Sequence, residues 1–198
     1  MSKTISKFFA KASKANDDLR SYTGVVRFFD LNGSHYFTHT NGFYAVCLVM
    51  RHNGPMVMGD DRRDNFLSVG GQVNGDYPDI NECLGYDLCF DVPTANDHSI
   101  DKGRDILRAL ENVKITRNTH IDIDTLAVVH SQKEVPETGI WFRADWIMDA
   151  VDMLDGRNIF LAYHGVVGDK DGCHKFTVMG MKGEYINLAI VPVVCTKS

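Results

Sequence analysis

The 198 residues hold no apolar run approaching the roughly 18 to 20 that cross a bilayer, so no membrane partner is expected. The opening MSKTISKFFAKASKAND has lysines but no continuous apolar stretch and does not read as a secretory signal. A disulfide framework is also missing. Cys47, Cys83, Cys89, Cys173 and Cys195 form an odd, scattered set, which points to reduced thiols in the cytoplasm. Cys83 and Cys89 have no second ligand pair near them, which argues against zinc. His35 and His39 can share one strand face, but an isolated pair of this kind is the mark of structure rather than of a metal site. The run at 169–172, DKDG, lacks the spaced ligands of a calcium loop and reads as a hairpin tip. There is no phosphate-cradling glycine loop, no Gly-x-Ser-x-Gly elbow and no Cys/His signature. No catalytic residue, metal or cofactor is therefore expected, and the chain does not read as an enzyme.

What is present is a globular composition, 44% apolar and 24% charged, which can bury a real core. The length allows one large domain or two of about 100 residues. A net charge of −5 argues against a protein that coats nucleic acid with its whole surface, but the charge is unevenly spread. The first sixteen residues contain four lysines and no acid; the remainder carries 17 basic against 26 acidic groups.

Helical spacing of Ile5, Phe8, Phe9 and Ala12 predicts an amphipathic helix with Lys3, Lys7, Lys11 and Lys14 on the opposite side. Three runs rich in β-branched and aromatic residues follow, Val25 to Phe29, His35 to Thr38 and Phe43 to Met50, separated by the turn signals LNGS and TNG. Residues 51–64 make a poor helix, and NFLSVGGQV reads as another strand. The stretch GQVNGDYPDINECL, 71–84, then joins one strand-like run to the next through Asn74-Gly75 and Tyr77-Pro78-Asp79. Beyond it come the strand DLCFDVP and a helix with Ser99 as N-cap and Ile106, Leu107, Leu110 and Val113 buried. Strand-like HIDID, LAVVHS and GIWFR lead into a helix over ADWIMDAVDMLDG that Gly156 can end. Its Asp145, Asp149 and Asp152 fall opposite Ile147, Val151 and Leu154. NIFLAYHG, HKFTVMGM and YINLAIVPVV read as three closing strands, so strand, helix and meander occur twice.

On these residues the sequence resembles the bacterial β-type DNA sliding clamp, the DNA polymerase III β subunit family. GIWFRADWIMDAVDMLDGRNIFLAYHG, HKFTVMGM and YINLAIVPVV follow the pattern of its last domain, a strand, a helix starting near an aromatic, and strands ending in an apolar-Pro-apolar tail. Thr40-Asn41-Gly42 is similar to the family's Thr-Asp-Gly turn, and 73–84, VNGDYPDINECL, is similar to its interdomain joint. The resemblance implies an α+β fold of two clamp-like domains, 1–86 and 87–198, with helices on one face of antiparallel sheets and assembly into a ring. It departs from the family in having two domains rather than three, no helix in 51–64 and a shortened 113–139 segment. Three good helices are expected where two complete domains would have four. Such compactness suits a phage-encoded or mobile-element version.

The resemblance further implies a processivity or recruitment factor in DNA replication, homo-oligomeric, that contacts double-stranded DNA without sequence preference and binds DNA polymerase or other clamp-binding proteins through short linear motifs. The phosphate-facing candidates are Lys3, Lys7, Lys11, Lys14, Arg104 and Arg108, and for the lysines a plain solvated face remains the alternative. Asp145, Asp149 and Asp152 would repel phosphate. The apolar peptide groove falls on Thr40, Gly42, Phe43, Tyr44, Leu84, Val191, Pro192 and Val193, for which ordinary strand core is the alternative. A second functional reading is a clamp-derived module that keeps the groove, does not encircle DNA, and regulates or sequesters clamp partners.

Overall fold

The computed structural model describes residues 3–14, 25–31, 34–51, 65–68, 80–84, 88, 96–154, 159–167, 172–180 and 183–193. Helix α1 (Lys3–Lys14) precedes strands β1 (Val25–Leu31), β2 (Ser34–Thr40), β3 (Tyr44–Arg51) and β4 (Asn65–Ser68). Short helix α2 (Ile80–Leu84) and helix α3 (Asp97–Leu110) follow, then β5 (His120–Asp122), β6 (Val128–Val129), β7 (Trp141–Arg143) and helix α4 (Ala144–Met153). The hairpins β8 (Phe160–Val166), β9 (His174–Met179) and β10 (Tyr185–Ile190) close the order.

Among the described residues, ten strands make two antiparallel sheets. The larger has the order β4-β1-β2-β3-β10-β9-β8, and the smaller is β6-β5-β7. Strands β1-β2-β3 and β8-β9-β10 each form a meander, and β4 returns to the outer edge of β1. The seam between the two meanders is β3 against β10, from Tyr44 opposite Ile190 to Val49 opposite Tyr185. The sheet thus runs unbroken from strands of the first 86 residues to strands of the remainder.

Side-chain alternation along the strands divides the core in two. Val46 and Leu48 of β3 and Ile186, Leu188 and Ile190 of β10 face the larger cluster, together with Phe8, Ile106, Ile147 and Phe176. The three long helices all contribute to this cluster, so they lie on one face. The alternate residues Ala45, Cys47, Val49 and Ala189 face a smaller cluster with Ile80 of α2 and Leu88. Between them Asn187 is fully buried; it donates to the Leu88 carbonyl (2.8 Å) and accepts from the Thr177 hydroxyl (3.0 Å). Leu88 N–H in turn reaches Asn81 Oδ1 at 2.8 Å, which satisfies polar groups that burial would otherwise leave costly.

Several local expectations change. Helix α1 is rolled: Thr4, Phe8 and Ala12 form its buried line, while Ile5 and Phe9 are half-buried on one flank. The Lys7–Lys11 row therefore lies on the other flank, beside α4, rather than opposite the core. The roll lets Phe8 and Phe9 both meet Phe37 of β2, at 6.3 and 6.2 Å between ring centres. The N-cap of α3 is Asn96, not Ser99. Asn96 Oδ1 accepts the Ser99 N–H at 2.9 Å, and Ser99 returns its hydroxyl to the Asn96 carbonyl. Ile106 and Leu110 are buried as expected; Leu107 and Val113 are half-buried, the latter because the helix stops at Leu110. Residues 80–84, read as the end of the joint between two strand-like runs, form α2, which adds a fourth, short helix among the described residues. The strand NFLSVGGQV is observed over Asn65–Ser68. Residues 52–64, the Tyr77-Pro78-Asp79 joint, most of DLCFDVP and Gly156 lie outside the described residues.

Helix α3 sits directly on β8. A Cβ placed on Gly103 would stand 1.9 Å from the Leu161 carbonyl oxygen, so only glycine permits this approach.

Candidate functional site

The β2–β3 turn is built by side chains that spend their polar atoms on the backbone. Asn41 Oδ1 accepts the N–H groups of Phe43 (2.9 Å) and Tyr44 (3.0 Å). The Thr40 hydroxyl accepts from Gly42 N–H (3.1 Å) and donates to the Tyr44 carbonyl (2.7 Å). Gly42 occupies φ +86°, where a Cβ is penalised. The Thr-Asn-Gly sequence is therefore the turn's own scaffold, and its product is Phe43, held 53% exposed at the tip.

The residues after β10 approach the same tip. Val191 N–H donates to the Phe43 carbonyl at 3.0 Å, continuing the β3–β10 ladder by one step. Pro192 cannot donate, so the ladder ends there. Val193 N–H goes instead to the Trp141 carbonyl of the small sheet at 2.8 Å. Val191 is exposed, and Pro192 and Val193 are half-buried. Thus Thr40, Gly42, Phe43, Tyr44, Val191, Pro192 and Val193 are brought together. Leu84 ends α2, whose Ile80 packs in the core on the far face of the sheet.

Between this turn, helix α4 and the loop at 115–117 lies an open cleft of about 890 Å³. Its aromatic floor includes a residue the sequence reading passed over. Trp146 stacks on Phe43 with ring centres 6.4 Å apart and planes 15° apart, and contacts Tyr44 at 5.3 Å. Arg143 lies over the same indole at 4.4 Å. The Arg143–Trp146 spacing of three residues around a helix start was the available signal.

The charges around the cleft are mostly spoken for. Arg143 donates to both carboxylate oxygens of Asp145, at 3.0 Å from Nε. Lys11 forms an ion pair with Asp149 across α1 and α4, and Lys7 Nζ donates to the Asp152 carbonyl at 2.8 Å. Burial pushes the Asp149 carboxyl up from its ordinary value; Lys11 opposes this, while Asp145 and Asp152 add to it. Burial also pushes up the Tyr44 hydroxyl, followed by the charges of Asp149 and Asp145, against the opposing effect of Arg143.

Two further phosphate-facing candidates are engaged in the same way. Arg104 pairs with Asp101 at 2.9 Å and Arg108 with Asp105 at 3.7 Å, both exposed pairs on α3. Lys3 is exposed at the start of α1, and Lys14 closes that helix. The expected free lysine stripe is thus partly an interhelical contact, with α4's acidic side as its partner.

Among the described residues no three His, Cys, Asp or Glu side chains come together as a metal site. His39 shares a face with His35 but is buried, its Nδ1 on the Val25 carbonyl at 3.2 Å. Cys47 and Cys173 are buried and in the thiol form. No helix among the described residues is long and apolar enough to cross a membrane.

No family model matches the chain, and no curated protein matches it in sequence. Solved structures do match in fold. A DNA polymerase III subunit beta from Pseudomonas aeruginosa aligns with a TM-score of 0.51 at 11% identity, over 98% of this chain and 66% of that one. A DnaN sliding clamp from the same organism, bound to griselimycin, gives a TM-score of 0.50 at 12% identity over 98% of this chain. The chain spans 64% of that protein's length. The α+β architecture, with antiparallel sheets and helices on one face, is that of the sliding clamp fold.

Proposed function

We propose that the chain is a clamp-like recruitment factor in DNA replication, which holds partner proteins by short linear motifs in the cleft beside Phe43. The observation that carries this reading is the half-exposed Phe43 stacked on Trp146 over an open cleft, with Val191 alongside. An exposed aromatic kept in place by a dedicated turn is the kind of anchor point that dominates peptide recognition. The partners would be a DNA polymerase or other clamp-binding proteins, the chain would comprise two clamp-like domains, 1–86 and 87–198, and no bond chemistry is assigned to it. Binding of such a peptide should be measured by calorimetric titration into the wild type, Trp146→Ala and Phe43→Ala. Each truncation should cost more than about 1 kcal/mol of affinity. Equal binding by all three proteins, or none by the wild type, would remove the cleft from the account.

The lysines of α1 support a second reading, a ring of several copies tracking double-stranded DNA through sequence-independent phosphate contacts. The ion pairs of Lys11, Arg104 and Arg108 weigh against it. Salt dependence separates the two: a tracking clamp loses DNA affinity steeply with salt. A module that engages only protein partners shows no DNA affinity from which such a slope could arise.

A further inference from the structure

The cleft is not uniform from end to end. The loop at 115–117 is tied to the start of α4, since Ala144 N–H donates to the Thr119 carbonyl at 2.9 Å. Arg117 is exposed on that loop and lines the cleft, and it makes no ion pair among the described residues. Arg143 and Asp145 beside it neutralise each other. Towards the other end of α4 the lining carries Asp149 and Asp152 against one cation, Lys11, which is committed to Asp149. Lys7, outside the lining, donates to the backbone carbonyl of Asp152 itself at 2.8 Å, and the Asp152 side chain is exposed beside it. One end of the cleft therefore offers an unpaired guanidinium and the other an exposed carboxylate, Asp152, with the Phe43–Trp146 stack on the wall between the loop and the helix.

We propose that the cleft selects a dipolar peptide segment, with an acidic residue at the Arg117 end, a basic residue at the Asp152 end and an aromatic anchor between them on Phe43 and Trp146. This rests on the peptide-binding reading above and specifies its partner. Along the α4 wall, from Asp145 at the loop end to Asp152, the helix rises about 10 Å at 1.5 Å per residue. An extended peptide runs along that wall in about three residues. Both charged groups are exposed, so each contact is modest and screened by salt.

Four end-blocked pentapeptides test the idea: Glu-Ala-Phe-Ala-Lys, a doubly acidic form, a doubly basic form and a neutral glutamine form. They are titrated calorimetrically at low salt into the wild type, Arg117→Glu and Asp152→Lys, and each affinity is expressed relative to the neutral peptide in the same protein. The wild type should prefer the dipolar peptide over either like-charged one by roughly three- to tenfold. Arg117→Glu should turn the preference to the doubly basic peptide, and Asp152→Lys to the doubly acidic one. If the neutral peptide binds and the order is the same in all three proteins, the charge proposal falls while the cleft remains a peptide site. If no peptide binds the wild type, the neutral one included, the peptide-binding reading falls and takes the proposal with it.

Discussion

Lowering the pH from 7 to 4 perturbs one buried imidazole more than any other described histidine. His39 on β2 is 1% exposed, its ring lies 5.9 Å from that of Tyr44, and Nε2 has no partner. Burial drives its pKa from 6.5 down to about 4, against a smaller opposing effect from the Val25 carbonyl. A depressed value means that the unfolded chain takes up the proton first. The stabilising contribution is complete above 6.5 and is lost as pH falls towards 4. At about 1.4 kcal/mol per pH unit the full loss is about 3 kcal/mol, with about 2 kcal/mol gone by pH 5. Urea unfolding at pH 7, 6 and 5 should show this loss in the wild type and not in His39→Asn, whose pH-independent cavity cost cancels in the slope. Identical slopes for the two proteins, or an imidazole that titrates near 6.5 by NMR, would refute the reasoning.

Lys11→Glu should destabilise the fold by about 1–3 kcal/mol in the same assay, because it sets two carboxylates against each other between α1 and α4. The same change at exposed Lys3 should cost less than about 1 kcal/mol. Gly103→Ala should lower the urea midpoint by the equivalent of about 2 kcal/mol or more, since its methyl meets the β8 backbone; an unchanged midpoint would mean that α3 does not pack there. Light scattering at micromolar concentration should give a mass of several chains if a ring forms, whereas a stable single chain would end the encircling version.

The strands were legible because runs such as YAVCLVMR and YINLAI combine β-branched and aromatic residues with clear turns between them. The long helices were legible from their periodicity. What escaped was decided by tertiary contact. The roll of α1 depends on Phe37 across the core, which no local pattern encodes. Asn96 and Ser99 are both competent caps, and the choice follows from where the chain enters α3. Ile80–Leu84 is too short for a periodicity to show. At the site, the turn residues were found from sequence, but Trp146 was hidden because its importance comes from Phe43, a hundred residues earlier.

The pairing of β3 with β10 sets the order in which the molecule can assemble. Strands β1 to β3 and β8 to β10 each join neighbours in sequence, so each meander closes short loops at small entropic cost. Among the strand pairs, the seam joins the partners most distant in sequence, Tyr44 and Ile190. Non-local contacts of this sort slow folding, so the seam is expected to form after the two meanders. Phe43 and Val191 are its next rung, so the surface around Phe43 takes shape only when the two halves are joined.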